Sequence, residues 1–241
     1  MKKIVLGCLF LLGACASNLD TSSMSAEELY NLGYDQMQDT AWSKAAASFE
    51  KLELEHPYSS WATKAKLMSA YAYYRDEKYD DAVIALDRFI HYHPGNKDAA
   101  YAYYMRGLCY YDQIVGSQKD QDNTAKAQEA FEQVIARFPD SEYAADARAK
   151  MALIRDHLAG QEMVVGRFYL QQKNYLSALN RFSAVVKDYQ TTPQIEEALY
   201  RLVEAYSILG LNNDANKSYQ VLKHNYPESI WCSRAEQIIS K

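Results

Sequence analysis

Residues 45–57 read Ala-Ala-Ala-Ser-Phe-Glu-Lys-Leu-Glu-Leu-Glu-His-Pro, a helical stripe that runs into a proline. Ala45, Phe49 and Leu52 are spaced four and then three residues apart, so their side chains share one helix face. Pro57 lacks the amide donor and ends the helix. The same frame returns at His93-Pro94, Phe138-Pro139 and Tyr226-Pro227, and at Tyr189-Gln190 with glutamine in the proline position. Twelve residues before each of these markers stands Ala45, Ala82, Ala127, Ala178 or Ala215. Eight before stands Phe49, Leu86, Phe131, Phe182 or Tyr219, and five before stands Leu52, Phe89, Val134, Val185 or Leu222. An alanine lets two helices approach closely, and a large side chain one turn later fills the groove between them.

This frame is the second-helix half of the tetratricopeptide (TPR) signature. The first helices follow from it. Gly33, Ala70, Gly107, Gly166 and Val203 are the small residues expected at the helix crossing. Three residues on come Gln36, Tyr73, Tyr110, Tyr169 and Tyr206. Thirteen residues separate Pro57 from Ala70, Pro94 from Gly107 and Gln190 from Val203, but 27 separate Pro139 from Gly166. That excess, with no proline from Ser141 to Gln172, predicts one long helix weakened by Gly160 and Gly166. The third repeat holds eight extra residues around Val115 to Asn123, expected as a polar loop. Ser25-Ala26-Glu27-Glu28 is a capping box that starts the first helix. The expected fold is all-α, a solenoid of five TPR-like helix pairs closed by a capping helix over residues 228–241.

The N-terminus reads as an address. Met1-Lys2-Lys3 precedes an apolar run from Ile4 to Ala14, too short for a bilayer and right for a signal peptide. Leu12-Gly13-Ala14-Cys15 resembles a bacterial lipoprotein box, with Cys15 as the lipidated residue. Ala16 in place of aspartate favours the outer membrane by resemblance to known sorting signals. Removal of residues 1–14 takes away Lys2 and Lys3 and moves the net charge from −5 to −7. The expected organisation is a signal peptide over 1–14 and the lipidated cysteine with a flexible tether over 15–24. Repeats one and two with the first helix of repeat three occupy 25–114, and the loop and second helix of repeat three 115–139. Repeats four and five occupy 140–227, and the capping helix 228–241.

Composition narrows the function. With a net charge of −5 and no basic block, nucleic acid is a poor partner. The sequence holds 21 tyrosines against 7 phenylalanines. Tyrosine suits a face that is both apolar and wet, although rings packed between repeats account for many. Cys109 and Cys232 fall in different repeats and read as separate buried thiols. His91 and His93 point to different faces of a helix near its end, and no metal spacing, cofactor motif, nucleophile elbow or phosphate loop is visible.

Three strings carry a resemblance: Tyr71-Ala72-Tyr73-Tyr74, Asp87-Arg88-Phe89-Ile90 and above all Tyr103-Tyr104-Met105-Arg106-Gly107-Leu108. Ile154-Arg155-Asp156-His157-Leu158-Ala159 in the long helix adds to it. With the lipobox and five repeats, the chain resembles the BamD family (also called ComL), lipoproteins of the β-barrel assembly machinery. The resemblance implies a non-enzymatic periplasmic scaffold on the outer membrane. Its N-terminal repeats would hold C-terminal targeting segments of unfolded outer-membrane proteins. Its C-terminal repeats would dock on the POTRA domains of a BamA-like barrel subunit, and accessory Bam lipoproteins would bind as well. Asn180-Arg181 resembles a family position where arginine pairs with a POTRA carboxylate. Two other readings compete: a Tol–Pal-type periplasmic TPR adaptor, and a peptidoglycan-acting enzyme on a helical solenoid. The first usually has an N-terminal coiled coil, for which the ten residues after Cys15 leave no room; the second needs a catalytic lobe, and the repeats consume the chain.

Helix geometry places the client surface on the first helices, one residue off the crossing position. The stripes are Tyr30, Tyr34 and Met37, then Leu67, Tyr71 and Tyr74 beside Arg75, then Tyr104, Leu108 and Tyr111. They are expected to merge into one tyrosine-rich groove, with Arg75 pairing a client's terminal carboxylate. The anchoring reading is tested separately. Cys15→Ser removes the acyl acceptor and should leave the protein unprocessed or held at the inner membrane on fractionation; normal outer-membrane recovery without its partners rules lipidation at Cys15 out.

Overall fold

The helix ends marked by the prolines all close with one hydrogen-bond pattern. In the computed structural model, which describes residues 21, 23–116 and 121–240, eleven helices are present among the described residues. They are α1 (Ala26–Gln38), α2 (Trp42–Glu55), α3 (Ala62–Arg75), α4 (Tyr79–Tyr92), α5 (Ala99–Gly116), α6 (Gln121–Arg137), α7 (Glu142–Gln171), α8 (Tyr175–Asp188), α9 (Ile195–Ile208), α10 (Asn212–Asn225) and α11 (Ile230–Ile239). At the end of each second helix, the N–H of His56, His93, Phe138, Tyr189 or Tyr226 donates to a carbonyl four residues back at 2.8–3.0 Å. The carbonyls of these five residues then accept from Ser59, Asn96, Ser141, Thr192 and Ser229 at 3.0–3.1 Å. The turn at Gln190 is thus built like the four proline turns.

The opposite turns are equally regular. After α1, α3, α7 and α9 the chain passes through a left-handed residue: Thr40 (φ 56°), Glu77 (58°), Lys173 (58°) or Gly210 (73°). The next N–H then reaches back to the carbonyl of Gln36, Tyr73, Tyr169 or Tyr206 at 2.8–3.0 Å, a Schellman closure. Three of the four residues are not glycine and accept a backbone cost of about 1–2 kcal/mol each for this turn.

Packing follows the glycines and phenylalanines. A Cβ built on Gly33 would lie 2.7 Å from the Phe49 ring, and one on Gly107 or Gly166 only 2.5 Å from Phe131 or Phe182. All three rings are fully buried, as are Ala45, Ala127 and Ala178 on the same helices. Each ring therefore sits directly on the backbone of the preceding helix. In the fifth pair Val203 and Tyr219 share one core cluster, and the Tyr219 hydroxyl donates to Glu236 of α11 at 3.0 Å.

The described residues form two compact units that meet in sequence inside α4, the first ending at Ala85 and the second beginning at Leu86. In the first, α2 packs on α1 and α3 around Leu29, Phe49, Leu52 and Ala65. In the second, each helix from α5 to α10 packs on the next, and α11 covers α9 and α10 with Cys232 and Ala235 buried. Capping is local: Ser25 and Glu28 form the expected reciprocal box, and Ser141, Asn174 and Ser229 cap α7, α8 and α11. Cys109 and Cys232 are free and buried, and burial pushes the Cys109 thiol up to about 12, which keeps it protonated. Among the described residues no helix is long and apolar enough to cross a membrane. The signal segment 1–14 and Cys15 lie outside the described residues.

Three expectations are corrected. The polar loop placed at Val115 to Asn123 is shorter than expected, because α5 continues to Gly116 and α6 begins at Gln121, while residues 117–120 lie outside the described residues. At the start of α6 Lys126 pairs with Asp122 one turn away at 2.5 Å, Thr124 is buried, and Asn123 donates to Gln113 of α5 at 3.3 Å, so these polar groups are spent on helix contacts. The end of the tether is not loose: Lys51 donates to Thr21 at 2.5 Å, His56 Nε2 lies 3.0 Å from the Met24 carbonyl, and Met24 packs on the first core. Gly160 and Gly166 are not equivalent flaws in α7. Gly166 admits Phe182, whereas the nearest atom to a Cβ on Gly160 is Gln194 Nε2 at 3.9 Å. Gly160→Ala should stabilise the protein by about 0.5–1 kcal/mol through helix propensity. Gly166→Ala should destabilise it by about 1–3 kcal/mol through overpacking. Thermal melts followed by circular dichroism read the two signs; shifts of the same sign contradict this packing.

Candidate functional site

The first-helix tyrosines of the first unit divide into core and surface. Tyr30 belongs to the core, contrary to its place in the expected exposed stripe. It is 6% exposed, and its ring lies 5.5 Å from Phe49 and 4.7 Å from Trp61. Leu67 and Met37 are buried as well. One residue of helical phase explains this. The stripe adjoins the crossing face, and the bulk of Trp61 at the entry to α3 covers its first turn. Tyr34, one turn further along α1, is 47% exposed.

Tyr71 and Tyr74 on α3 are half-buried and flank Arg75. The Arg75 guanidinium donates to the Tyr71 hydroxyl at 2.9 Å and lies 4.5 Å over the Trp42 ring. Trp42 in turn meets Tyr71 edge-on, with centroids 6.4 Å apart and planes at 82°. The neighbouring carboxylate is taken: Asp76 accepts from Lys78 at 2.8 Å and Ser43 at 2.5 Å. Hydrogen bonds from Lys78 and then Ser43 hold its carboxyl below the usual range. Arg75 thus lies on an aromatic platform, and no carboxylate pairs with it among the described residues. Trp42 was absent from the sequence reading, which searched only first helices; its signal is its place as the first residue of α2, directly after the turn.

In the second unit the tyrosines are committed internally. Tyr104 donates to Asp146, and its ring packs against Phe131 and Tyr143. Burial, then the bond to Asp146, raises its hydroxyl above the ordinary tyrosine range. Tyr111 meets Phe131 at 6.2 Å and carries the Lys150 ammonium 4.9 Å over its ring. The Tyr103–Leu108 string has mainly structural work. Tyr103 is buried with the guanidinium groups of Arg106 and Arg137 each 5.3 Å from its ring. Arg106 also donates to Asp87 at 2.8 Å and Gln133 at 2.7 Å, while Gly107 receives Phe131.

Arg181 on α8 is 45% exposed and pairs with Glu162 of α7 at 3.2 Å. It borders a shallow hollow of about 250 Å³ with Tyr169, Ser177 and Asn180. An exposed pair of this kind contributes about 0–1 kcal/mol, so an incoming carboxylate exchanges with Glu162 at little cost. No cluster of three or more metal-ligating side chains occurs among the described residues.

Comparison with known proteins places these surfaces in context. A family described as YfiO, outer membrane lipoprotein, matches residues 22–222. The chain is 44% identical over 231 residues to the outer membrane protein assembly factor BamD of Rickettsia prowazekii, covering 95% of this chain and 92% of that protein. It is 40% identical to BamD of Caulobacter vibrioides, covering 94% and 76% of the two chains. With BamD of Neisseria meningitidis serogroup A the identity is 35%, over 98% and 96%.

Proposed function

The chain belongs to the YfiO family of outer membrane lipoproteins, and from that membership we infer that it serves outer membrane protein assembly as a non-enzymatic scaffold with two separate binding surfaces. The first unit receives the C-terminal segment of an unfolded barrel protein. The observation that carries this is Arg75, a cation held over Trp42 and bonded to Tyr71, in a unit that also exposes Tyr34 on α1. A segment ending in an aromatic ring and a free carboxylate matches such a platform: the ring lies on tyrosine, and the carboxylate meets the guanidinium. Tyr30 drops out of this surface because it is core. Tyr104 and Tyr111 are described within the second unit and are not needed for it.

The second unit docks on the POTRA domains of a BamA-like subunit through Arg181, with Glu162 as the internal partner it gives up. Accessory lipoproteins add further contacts to the same assembly. Lipid on Cys15 ties the scaffold to the outer membrane, where several acyl chains give stable anchoring.

Client binding is measured by fluorescence anisotropy with a labelled barrel C-terminal peptide, as the free acid and as the C-terminal amide. The free acid should bind about tenfold more tightly, a difference of about 1.4 kcal/mol. Arg75→Gln should erase that difference, and Tyr34→Ala should weaken both peptides. Equal affinity of acid and amide for the wild type removes Arg75 from the site. For the docking surface, Arg181→Glu should lower recovery of the barrel subunit from solubilised membranes while helicity stays unchanged; undiminished recovery places the contact elsewhere.

A further inference from the structure

The second unit contains a cavity that the two departures from the repeat length create. The α5 helix has 18 residues and α7 has 30, against 14 in α3, α8 and α9. The surplus brings the end of α5, the start of α6 and the inserted part of α7 around a space of about 390 Å³. Its walls include Tyr111, Ile114, Thr124, Leu153 and Asp156. Ile114 and Thr124 are buried, while Leu153 stands exposed at the mouth. A space of this size lies within the range of small-ligand sites and holds about a dozen waters by liquid volume.

One polar atom in this setting has no counterpart. Asp156 Oδ1 is shut off from solvent and accepts no hydrogen bond among the described residues. Leaving such an acceptor unsatisfied is unfavourable, so it marks a place where a donor is missing. The cations nearby are engaged elsewhere. Lys150 pairs with Asp146 at 3.7 Å and lies over Tyr111. Lys126 pairs with Asp122 and lies 5.8 Å from the Tyr110 ring. His157 Nε2 is engaged by the Gln161 side-chain amide, 2.9 Å away. A metal ion finds no cluster of three ligands among the described residues.

We propose that this cavity is a binding site for an arginine side chain presented by a peptide segment of a partner protein, with Asp156 as its carboxylate. The aliphatic stem lies along Ile114 and Leu153, and the guanidinium supplies the donor that Oδ1 lacks. Arginine fits better than lysine because its guanidinium is more weakly hydrated and enters a partly enclosed site at lower cost. The site borders Tyr111 but does not rest on the client reading, which requires a terminal carboxylate and Arg75.

The test uses the full chain in detergent and two capped probes, N-acetyl-leucyl-arginine amide and its neutral citrulline analogue, titrated by ligand-observed NMR. Neither probe carries a terminal carboxylate, so failure of the client reading leaves the result unaffected. The arginine probe should bind about tenfold more tightly than the citrulline probe. Asp156→Asn should bring the two to about equal affinity, and Ile114→Trp, which fills the cavity, should abolish binding of both. Equal or undetectable binding of the two probes to the wild-type chain overturns the proposal, as does an arginine preference that survives Asp156→Asn.

Discussion

The contact on which the rest of the structure depends is a phenylalanine ring lying on a glycine backbone. Gly33 with Phe49, Gly107 with Phe131 and Gly166 with Phe182 set the distance between the two helices of three pairs. Any side chain at the glycine pushes the ring out of a site with no free volume. Once that distance is set, the neighbouring positions have no freedom about which way they face. Tyr30 is carried into the core, and Tyr34, one turn along, is carried to the surface. The repeated Schellman turns add a second constraint by fixing where α2, α4, α8 and α10 begin, which puts Trp42 under Arg75.

Much of this was legible in the residues because a repeat is sampled five times. The alanine recurs in all five second helices, the large apolar position is aromatic in four, and the proline is present in four, so chance matches average out. The capping box at Ser25 and the long α7 were also readable, since each rests on local rules. What was not legible depended on contacts between distant residues. The stretch after Val115 is polar and looks like a loop, yet Asp122 and Asn123 at its end pair along and between helices. Gly166 stood in the crossing register, but that a Cβ on Gly160 would meet only Gln194 at 3.9 Å was not visible in the residues. The same limit applied to Arg75: its charge was visible, but the Trp42 platform and the capture of Asp76 by Lys78 were not.

The two units use their polar groups differently, and this bears on their roles. In the second unit Arg181 of α8 pairs with Glu162 of α7, Arg167 of α7 with Glu197 of α9 at 3.0 Å, and Arg201 with Glu197 and Glu204 within α9. Such pairs are individually weak but mutually reinforcing where they share carboxylates, as Glu197 is shared by two arginines. That arrangement suits a rigid surface for docking a folded partner. The platform in the first unit is aromatic, with a single cation, and asks little of a ligand beyond a ring and a negative charge. A surface of that kind tolerates varied sequences, as the proposed client site requires.

The central claim is that first-helix side chains of the first unit are the ones that meet unfolded barrel proteins. The most direct measurement places a photo-crosslinking amino acid at Tyr34 on α1 or at Leu54 on α2, positions 47% and 81% exposed, in cells labelled during synthesis. Position 34 should capture newly made outer-membrane barrel precursors and position 54 should not. Equal capture at both positions, or capture at position 54 alone, would contradict the account.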